Sequence, residues 1–264
     1  MSGLAQTRVM LWCGSKDWFF PGVTLQERFL SQPMVSPNPE RLRAKLASSG
    51  NPYLTLKAAV SLDGRIATAG GHSQWITGSE ARAFGHQLRA SHDAVLVGRG
   101  TMIADDPQLT VRLEGNTATP ARVVLDSLCR TSPRAQWLRE DGARRILVVG
   151  SEAPVDGLAA MEAAGAEVVR CTTVRPQPGE FLPALRAMGL SSILVEGGGE
   201  IHASLIAQGE PDELFLIMAG LVIGGKDAPG WCASLGVNLL EEAPRLDLRA
   251  VFPLGKDIAI QGYF

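Results

Sequence analysis

From Tyr53 onward, short runs of aliphatic and β-branched residues alternate with amphipathic stretches, and this alternation narrows the fold more than any other feature. YLTLKAAV (53–60), DAVLVG (93–98), ARVVLD (121–126), RRILVVG (144–150), AEVVR (166–170), SSILVEGGG (191–199, strand plus turn) and DELFLIMAG (212–220) read as strands. SEARAFGHQLRAS (79–91) reads as a helix with Ser79 at its cap and Ala81, Phe84 and Leu88 on one face. VDGLAAMEAAG (155–165) ends at a glycine, FLPALRAMG (181–189) takes Pro183 in its first turn, and EIHASLIAQG (200–209) stops at Gly209. Strands separated by helices pair in parallel. The tail LDLRAVFPLGKDIAIQGYF (246–264) reads as two strands joined near Gly255 with no helix between them, so an antiparallel pair belongs at one edge. The expected fold is α/β: a mixed, mostly parallel sheet flanked by helices, with a C-terminal antiparallel strand pair, spanning residues 51–264.

Residues 1–50 break this rhythm and read as an N-terminal extension with one short helix. Asn38 followed by Pro39 is a helix start, a side-chain acceptor at the cap with proline at the first helical position, and Gly50 is its stop. Trp12, Trp18, Phe19 and Phe20 are expected to pack on the main domain. The extension lacks a basic segment leading into a long apolar one, so it does not read as a signal peptide. No apolar run approaches the ~20 residues of a membrane helix.

Net charge is −2, so no global basic field draws nucleic acid or an anionic membrane, and an anionic ligand must be held by local groups. The four cysteines, Cys13, Cys129, Cys171 and Cys232, are far apart and form no C-x-x-C pair. That reads as a reduced, cytoplasmic protein. His72, His86, His92 and His202 make no H-E-x-x-H pattern, and no metal is expected.

Three stretches carry residues suited to chemistry. In LKAAVSLDGRIATAGGHSQWITG (56–78), Lys57 sits inside an apolar strand: either it serves a site or its stem packs while its amine reaches water. Trp75 is core or a cover for a planar ligand. In LVGRGTMIADDPQLTVR (96–112), glycine turns at a strand end suit an anion nest. Asp105 and Asp106 read as a metal pair, an acid/base pair or a helix stop. Arg89 and Arg112 are local cations whose forks match phosphate oxygens.

The third stretch is VEGGGEIHASLIAQG (195–209). Glu196 ends a parallel strand, at the end of an open α/β sheet where ligands bind. Gly197, Gly198 and Gly199 let a ligand approach the backbone, and the following helix points its free amides at the same place. A pyrophosphate suits that turn. The spacing is not G-x-G-x-x-G, because His202 stands where the third glycine would be.

In order, K-x-x-x-S-L-D-G-R, S-x-W-I-T, T-x-x-A-D-D-P-x-L-T-x-R, V-x-D-S and V-E-G-G resemble the pyrimidine reductase of riboflavin biosynthesis, over residues 52–264. That family is the reductase half of a bifunctional deaminase-reductase. The resemblance implies a dihydrofolate-reductase-like fold, in which the glycine turn comes late in the chain. It implies NADPH as cofactor and 5-amino-6-(5-phosphoribosylamino)uracil as substrate, reduced from ribosyl to ribityl. It implies that Ser73, Arg89, Leu109, Arg112 and Glu196 meet the substrate, the arginines as a pair for its phosphate. Ala59, Trp75, Thr101, Asp105, Ser127 and the turn Gly198, Gly199, Glu200, Ile201, His202, Ala203 and Ser204 would meet NADPH. Lys57 matches a lysine near the reacting sugar. Ser127 and Arg130 follow a strand end suited to reading a 2′-phosphate. Family members often pair, so a homodimer is expected.

The resemblance also implies a mechanism. The ribosylamine opens to an imine, hydride arrives at C1′, and the protein aligns the two carbons and excludes water. Lys57 and Glu196 would bond the sugar hydroxyls or assist opening. H-x-E with a later P-C-x-x-C is absent, so zinc-dependent deamination is not expected and the form is reductase-only. Alternatives are the same reaction on the 2,5-diamino precursor, reduction of another imine, and a non-catalytic NADPH-binding protein. The last has no use for the substrate-side residues.

Overall fold

The computed structural model describes residues 36–264; the expectation for Trp12, Trp18, Phe19 and Phe20 lies outside the described residues. The strands are β1 (Tyr53–Ser61), β2 (Ala94–Gly98), β3 (Ala121–Leu125), β4 (Arg145–Val149), β5 (Glu167–Arg170), β6 (Ser192–Gly197), β7 (Glu213–Ala219), β8 (Asp247–Leu254) and β9 (Asp257–Tyr263). The helices are α1 (Pro39–Ser48), α2 (Ser79–Ala90), α3 (Arg99–Asp105), α4 (Val155–Ala163), α5 (Pro178–Ala187) and α6 (Gly199–Ala207).

The strands form one nine-stranded sheet in the order β5-β4-β3-β2-β6-β1-β7-β9-β8. Every pair from β5 to β7 is parallel. The strands that follow each other without a helix, β8 and β9, pair antiparallel and close one edge. DELFLIMAG becomes β7, an interior strand between β1 and β9. Its apolar character is therefore met inside the sheet.

Alternate strand residues feed the two faces, as the period of two requires. On one face Leu54, Leu56, Leu96, Val123, Ile193 and Val195 pack against Phe181 and Leu185 of α5 and Leu205 and Ile206 of α6. On the other, Val95, Val97 and Val124 meet Met102 of α3 and Met161 of α4. Beside them Leu194, Phe215 and Ile217 meet Ala81, Phe84 and Leu88 of α2, the face read from the sequence. Phe84 stands edge-on to Phe215 at 5.4 Å between ring centroids. Each such fully buried side chain contributes about 1.5–3 kcal/mol.

Asn38 caps α1 as expected, its Oδ1 accepting from the amides of Glu40 (3.0 Å) and Arg41 (3.1 Å). The helix is pinned to the domain: Arg41 lies 4.0 Å over the Tyr263 ring and Lys45 donates to the Glu210 carbonyl at 2.9 Å.

Three local readings are corrected. The cap of α2 is Gly78, not Ser79: the Gly78 backbone is extended, with φ −74° and ψ −177°, and its amide donates to the Asp257 carboxylate of β9 at 2.6 Å. Helix α5 begins at Pro178, so Pro183 lies beyond the first turn. The glycine-led segment after β2 is helix α3 rather than an open nest, with Met102 as its buried anchor.

Candidate active site

The carboxyl ends of the parallel strands open into one cavity of about 1390 Å³. Lys57 reaches it from β1, Glu196 from β6, and Arg82, His86 and Arg89 from successive turns of α2. Between β2 and β6 the register slips: Leu96 faces Val195 but Val97 faces Gly197, which leaves Glu196 as an extra, unpaired residue. A bulge of this kind frees a strand residue from the ladder and re-aims its side chain.

Glu196 is held by Arg89 in a two-pronged ion pair, Nε to Oε1 and Nη2 to Oε2, both at 2.6 Å. The third prong, Nη1, donates to the Thr110 carbonyl at 2.9 Å. Burial works to raise the Glu196 pKa. The charge and hydrogen bonds of Arg89, with Lys57 and His86 behind them, override it and hold the carboxyl at about 2. Glu196 is therefore a carboxylate at any physiological pH, an acceptor and not a proton donor. Three of the five Arg89 N–H groups are already engaged, and Arg112 is the exposed cation in this part of the cavity.

Lys57 projects on the same face. It lies beside Gly85 of α2, where a Cβ would make an ordinary 3.8 Å contact with Lys57 Nζ. Among the described residues the amine makes no hydrogen bond and no ion pair within 4 Å. Burial pushes its pKa down, Glu196 draws it up, and Arg89 pushes it down again. His86 is also pushed down, by burial and then by the charges of Arg89 and Arg112. Its Nδ1 stands 3.3 Å from the Arg112 amide, which makes Nδ1 the acceptor and Nε2 the protonated nitrogen.

The three glycines of the turn answer to three different constraints. Gly197 has φ of 131°, a conformation only glycine tolerates. Gly199 backs onto the loop after β7, where a Cβ would sit 2.6 Å from the Gly230 carbonyl oxygen. Gly198 is the one that faces open space: a Cβ would meet only the Thr101 hydroxyl, at 3.9 Å. No side chain caps α6, so its first amides are left for a ligand. Gly98 lies against this turn, where a Cβ would meet Ile201 Cδ1 at 2.5 Å, so the start of α3 packs on the first turn of α6.

A model of the RibD C-terminal domain matches residues 52–260. The chain belongs to the RibD C-terminal domain family. It is 37% identical over 212 residues to the riboflavin biosynthesis protein RibD of Bacillus amyloliquefaciens, covering 80% of this chain but 57% of that one. Over the same length it is 37% identical to the 2,5-diamino-6-ribosylamino-4(3H)-pyrimidinone 5′-phosphate reductase of Methanothermobacter thermautotrophicus, covering 97% of it. Among solved structures, RibD of Acinetobacter baumannii superposes with a TM-score of 0.70 at 29% identity, over 85% of this chain and 61% of that one. The fold is the dihydrofolate-reductase-like one expected.

Within this RibD-type domain, Ser73, Arg89, Leu109, Arg112, Glu196, Lys57, Ala59, Trp75, Thr101, Asp105, Ser127, Gly198, Gly199, Glu200, Ile201, His202 and Ser204 all border the cavity. Ala203 does not; it lies on the buried stripe of α6. The His202 ring is turned away as well, its nitrogens 2.9 Å from the Trp231 carbonyl and 3.3 Å from that of Val195. Leu109 is 2% exposed and packs with the core cluster of Val97, Met102 and Val124. Asp105 accepts from Ser73 (3.0 Å) and Gln74 (3.2 Å), fastening the 68–77 loop to α3. Trp75 is 68% exposed under the Arg82 guanidinium at 4.7 Å. Arg82 and His86 were missed from the sequence. Their spacing with Arg89 is the helical period on the polar side of α2, a signal that was present.

Among the described residues no group of side chains fits a metal, and no helix is long and apolar enough to cross a membrane.

Proposed function

We propose that this chain is an NADPH-dependent reductase that converts the ribosyl group of 5-amino-6-(5-phosphoribosylamino)uracil to a ribityl group. The observation that carries the reading is the constellation of Lys57 on β1, Glu196 on the adjacent β6 and Arg89 on α2, beside a glycine turn open to a ligand. The open face of Gly198 and the uncapped start of α6 fit the cofactor's diphosphate. NADPH, when bound there, supplies the hydride that the C1′ carbon of the opened sugar receives.

The chain's own residues do the rest. Lys57, with a lowered pKa and no protein partner, is the group suited to hand a proton to the sugar as it opens. Glu196, fixed as a carboxylate, accepts from sugar hydroxyls and keeps the Lys57 ammonium in the site. Arg112 and the Nε2–H of His86 take the phosphate. The 68–77 loop closes over the cavity and excludes water. A cytoplasmic homodimer belongs to the same proposal, and sedimentation velocity tests its oligomeric part.

A second reading has its own support. The Methanothermobacter reductase, named for the 2,5-diamino pyrimidinone, is matched over nearly its whole length. Reduction before deamination is therefore the alternative order. Purified protein is given NADPH and each pyrimidine in separate reactions, and absorbance at the nicotinamide band is followed. Turnover of either supports the reductase, and the preferred one fixes the order of steps. Tight NADPH binding with neither consumed overturns the proposal.

A further inference from the structure

The turn S-L-D-G-R (61–65) ends the strand that carries Lys57, yet none of its five residues borders the cavity. The proposed reaction gives it no task. It grips the loop that follows β7 instead. The Leu62 amide donates to the Leu221 carbonyl at 2.7 Å. The Asp63 carboxylate then takes two successive amides of that loop, Oδ1 accepting from Ile223 at 3.0 Å and Oδ2 from Gly224 at 2.8 Å.

The turn itself is braced. The buried Ser61 hydroxyl donates to Asp63 Oδ1 at 2.6 Å and accepts the Arg65 amide at 2.9 Å. Hydrogen bonds from Ser61, Ile223 and Gly224 hold the Asp63 carboxyl at about 2, so it stays charged through mildly acid pH. Arg65 holds the next stretch of the loop. Its Nη1 donates to the Ala228 carbonyl at 2.6 Å, and its backbone bridges Gly230 antiparallel. The Ile66 amide donates to the Pro229 carbonyl at 2.9 Å.

The same loop is the wall on which the glycine turn rests. The Ala233 amide donates to the Gly199 carbonyl at 3.0 Å. A Cβ on Gly199 would sit 2.6 Å from the Gly230 carbonyl oxygen, and His202 Nδ1 lies 2.9 Å from the Trp231 carbonyl. Since no side chain caps α6, the aim of its first amides depends on what its first turn rests against. Asp63 and Arg65 fix the loop through residues 223–230, and residues 230–233 fix Gly199 and His202.

We infer that Asp63 and Arg65 are positioning residues that act through the 221–233 loop to hold the first turn of α6 ready for the cofactor diphosphate. This rests on the cofactor part of the reductase reading and not on its substrate. Calorimetric titration with NADPH should show Asp63→Asn binding about tenfold more weakly than the wild type, the scale of one hydrogen bond to a charged group. Arg65→Met should weaken binding likewise, and Arg65→Lys, which keeps a donor for the Ala228 carbonyl, should recover most of the loss. With turnover, the KM for NADPH should rise while kcat and the KM for the pyrimidine hold. Asp93→Asn is the control. Its carboxylate also accepts two backbone amides, Ser191 at 2.8 Å and Ser192 at 2.9 Å, but at the opposite end of the sheet. It should lower the melting temperature and leave NADPH affinity unchanged. Hydrogen exchange without ligand gives a second readout: in Asp63→Asn the 199–205 and 221–233 amides should exchange faster while those of β3 and β4 do not. Unchanged NADPH affinity in both Asp63→Asn and Arg65→Met overturns the inference, as does an equal loss in Asp93→Asn. If the wild type binds no NADPH, the cofactor reading falls and exchange alone decides. Faster exchange at 199–205 in Asp63→Asn then supports the coupling, and unchanged exchange there overturns it.

Discussion

Replacing Arg89 by methionine keeps the bulk of the stem and removes the charge, and its consequences follow from the geometry around Glu196. The wild-type carboxyl falls from an ordinary 4.5 to about 2. That drop corresponds to about 3 kcal/mol of folding stability at neutral pH. The Glu196 side chain is only 9% exposed, so solvent screening takes little from this figure. Without Arg89 the burial that opposes the charge is met only by Lys57 and His86, and the Glu196 pKa should rise. Removing one partner of a buried pair typically costs about 3–5 kcal/mol. Urea unfolding at pH 7 should therefore show Arg89→Met destabilised by about that amount. The pH dependence gives the sign. In the wild type the folded pKa is depressed, so the contribution is complete above 4.5 and is lost as pH falls toward 2. In the variant the folded pKa moves up, toward or above the unfolded one, so acidification no longer costs what it costs the wild type. The gap between the two proteins should narrow steadily as pH falls from 4.5. Adding Glu196→Gln to Arg89→Met should recover part of the loss, because it removes the stranded charge. A loss below about 1 kcal/mol at pH 7, the value of an exposed pair, would refute the reasoning.

Three further outcomes are expected. Lys57→Met should lower kcat at least a hundredfold by about 3 kcal/mol of barrier while NADPH still binds; in the wild type, kcat should fall on the alkaline side below the 10.5 of an ordinary lysine, because burial lowers the Lys57 pKa. Gly199→Ala should lower the melting temperature, since its Cβ meets the Gly230 carbonyl at 2.6 Å, whereas Gly198→Ala should leave melting unchanged and weaken cofactor binding, measured by calorimetry. Arg112→Ala and His86→Ala should each raise the KM for the phosphorylated pyrimidine about tenfold, and a dephosphorylated substrate should be insensitive to both.

The parts of this molecule that could be read from the sequence are those fixed by neighbours in the chain. Asn38 caps a helix two and three residues on, Gly255 turns one strand into the next, and the apolar period of α2 is contained in twelve residues. The strand–helix alternation is local in the same sense, and it was enough for a mostly parallel sheet with an antiparallel edge. Helix α3 escaped because it is seven residues long, begins Arg-Gly and buries only Met102, so it has no apolar period to detect.

The site itself divides along the same line. Lys57 and the glycine turn stand out because each is locally improper, a cation in an apolar strand and three glycines where a helix should start. What decides their chemistry is not local. Arg89 and Glu196 are 107 positions apart, and they meet only because β6 inserts between β1 and β2. That insertion joins the two in one ion pair. In the proposed reaction it leaves Lys57 to move the proton and Arg112 with His86 to hold the anion. The topology thus sets which side chains meet, and the sequence supplies the residues among which they are chosen.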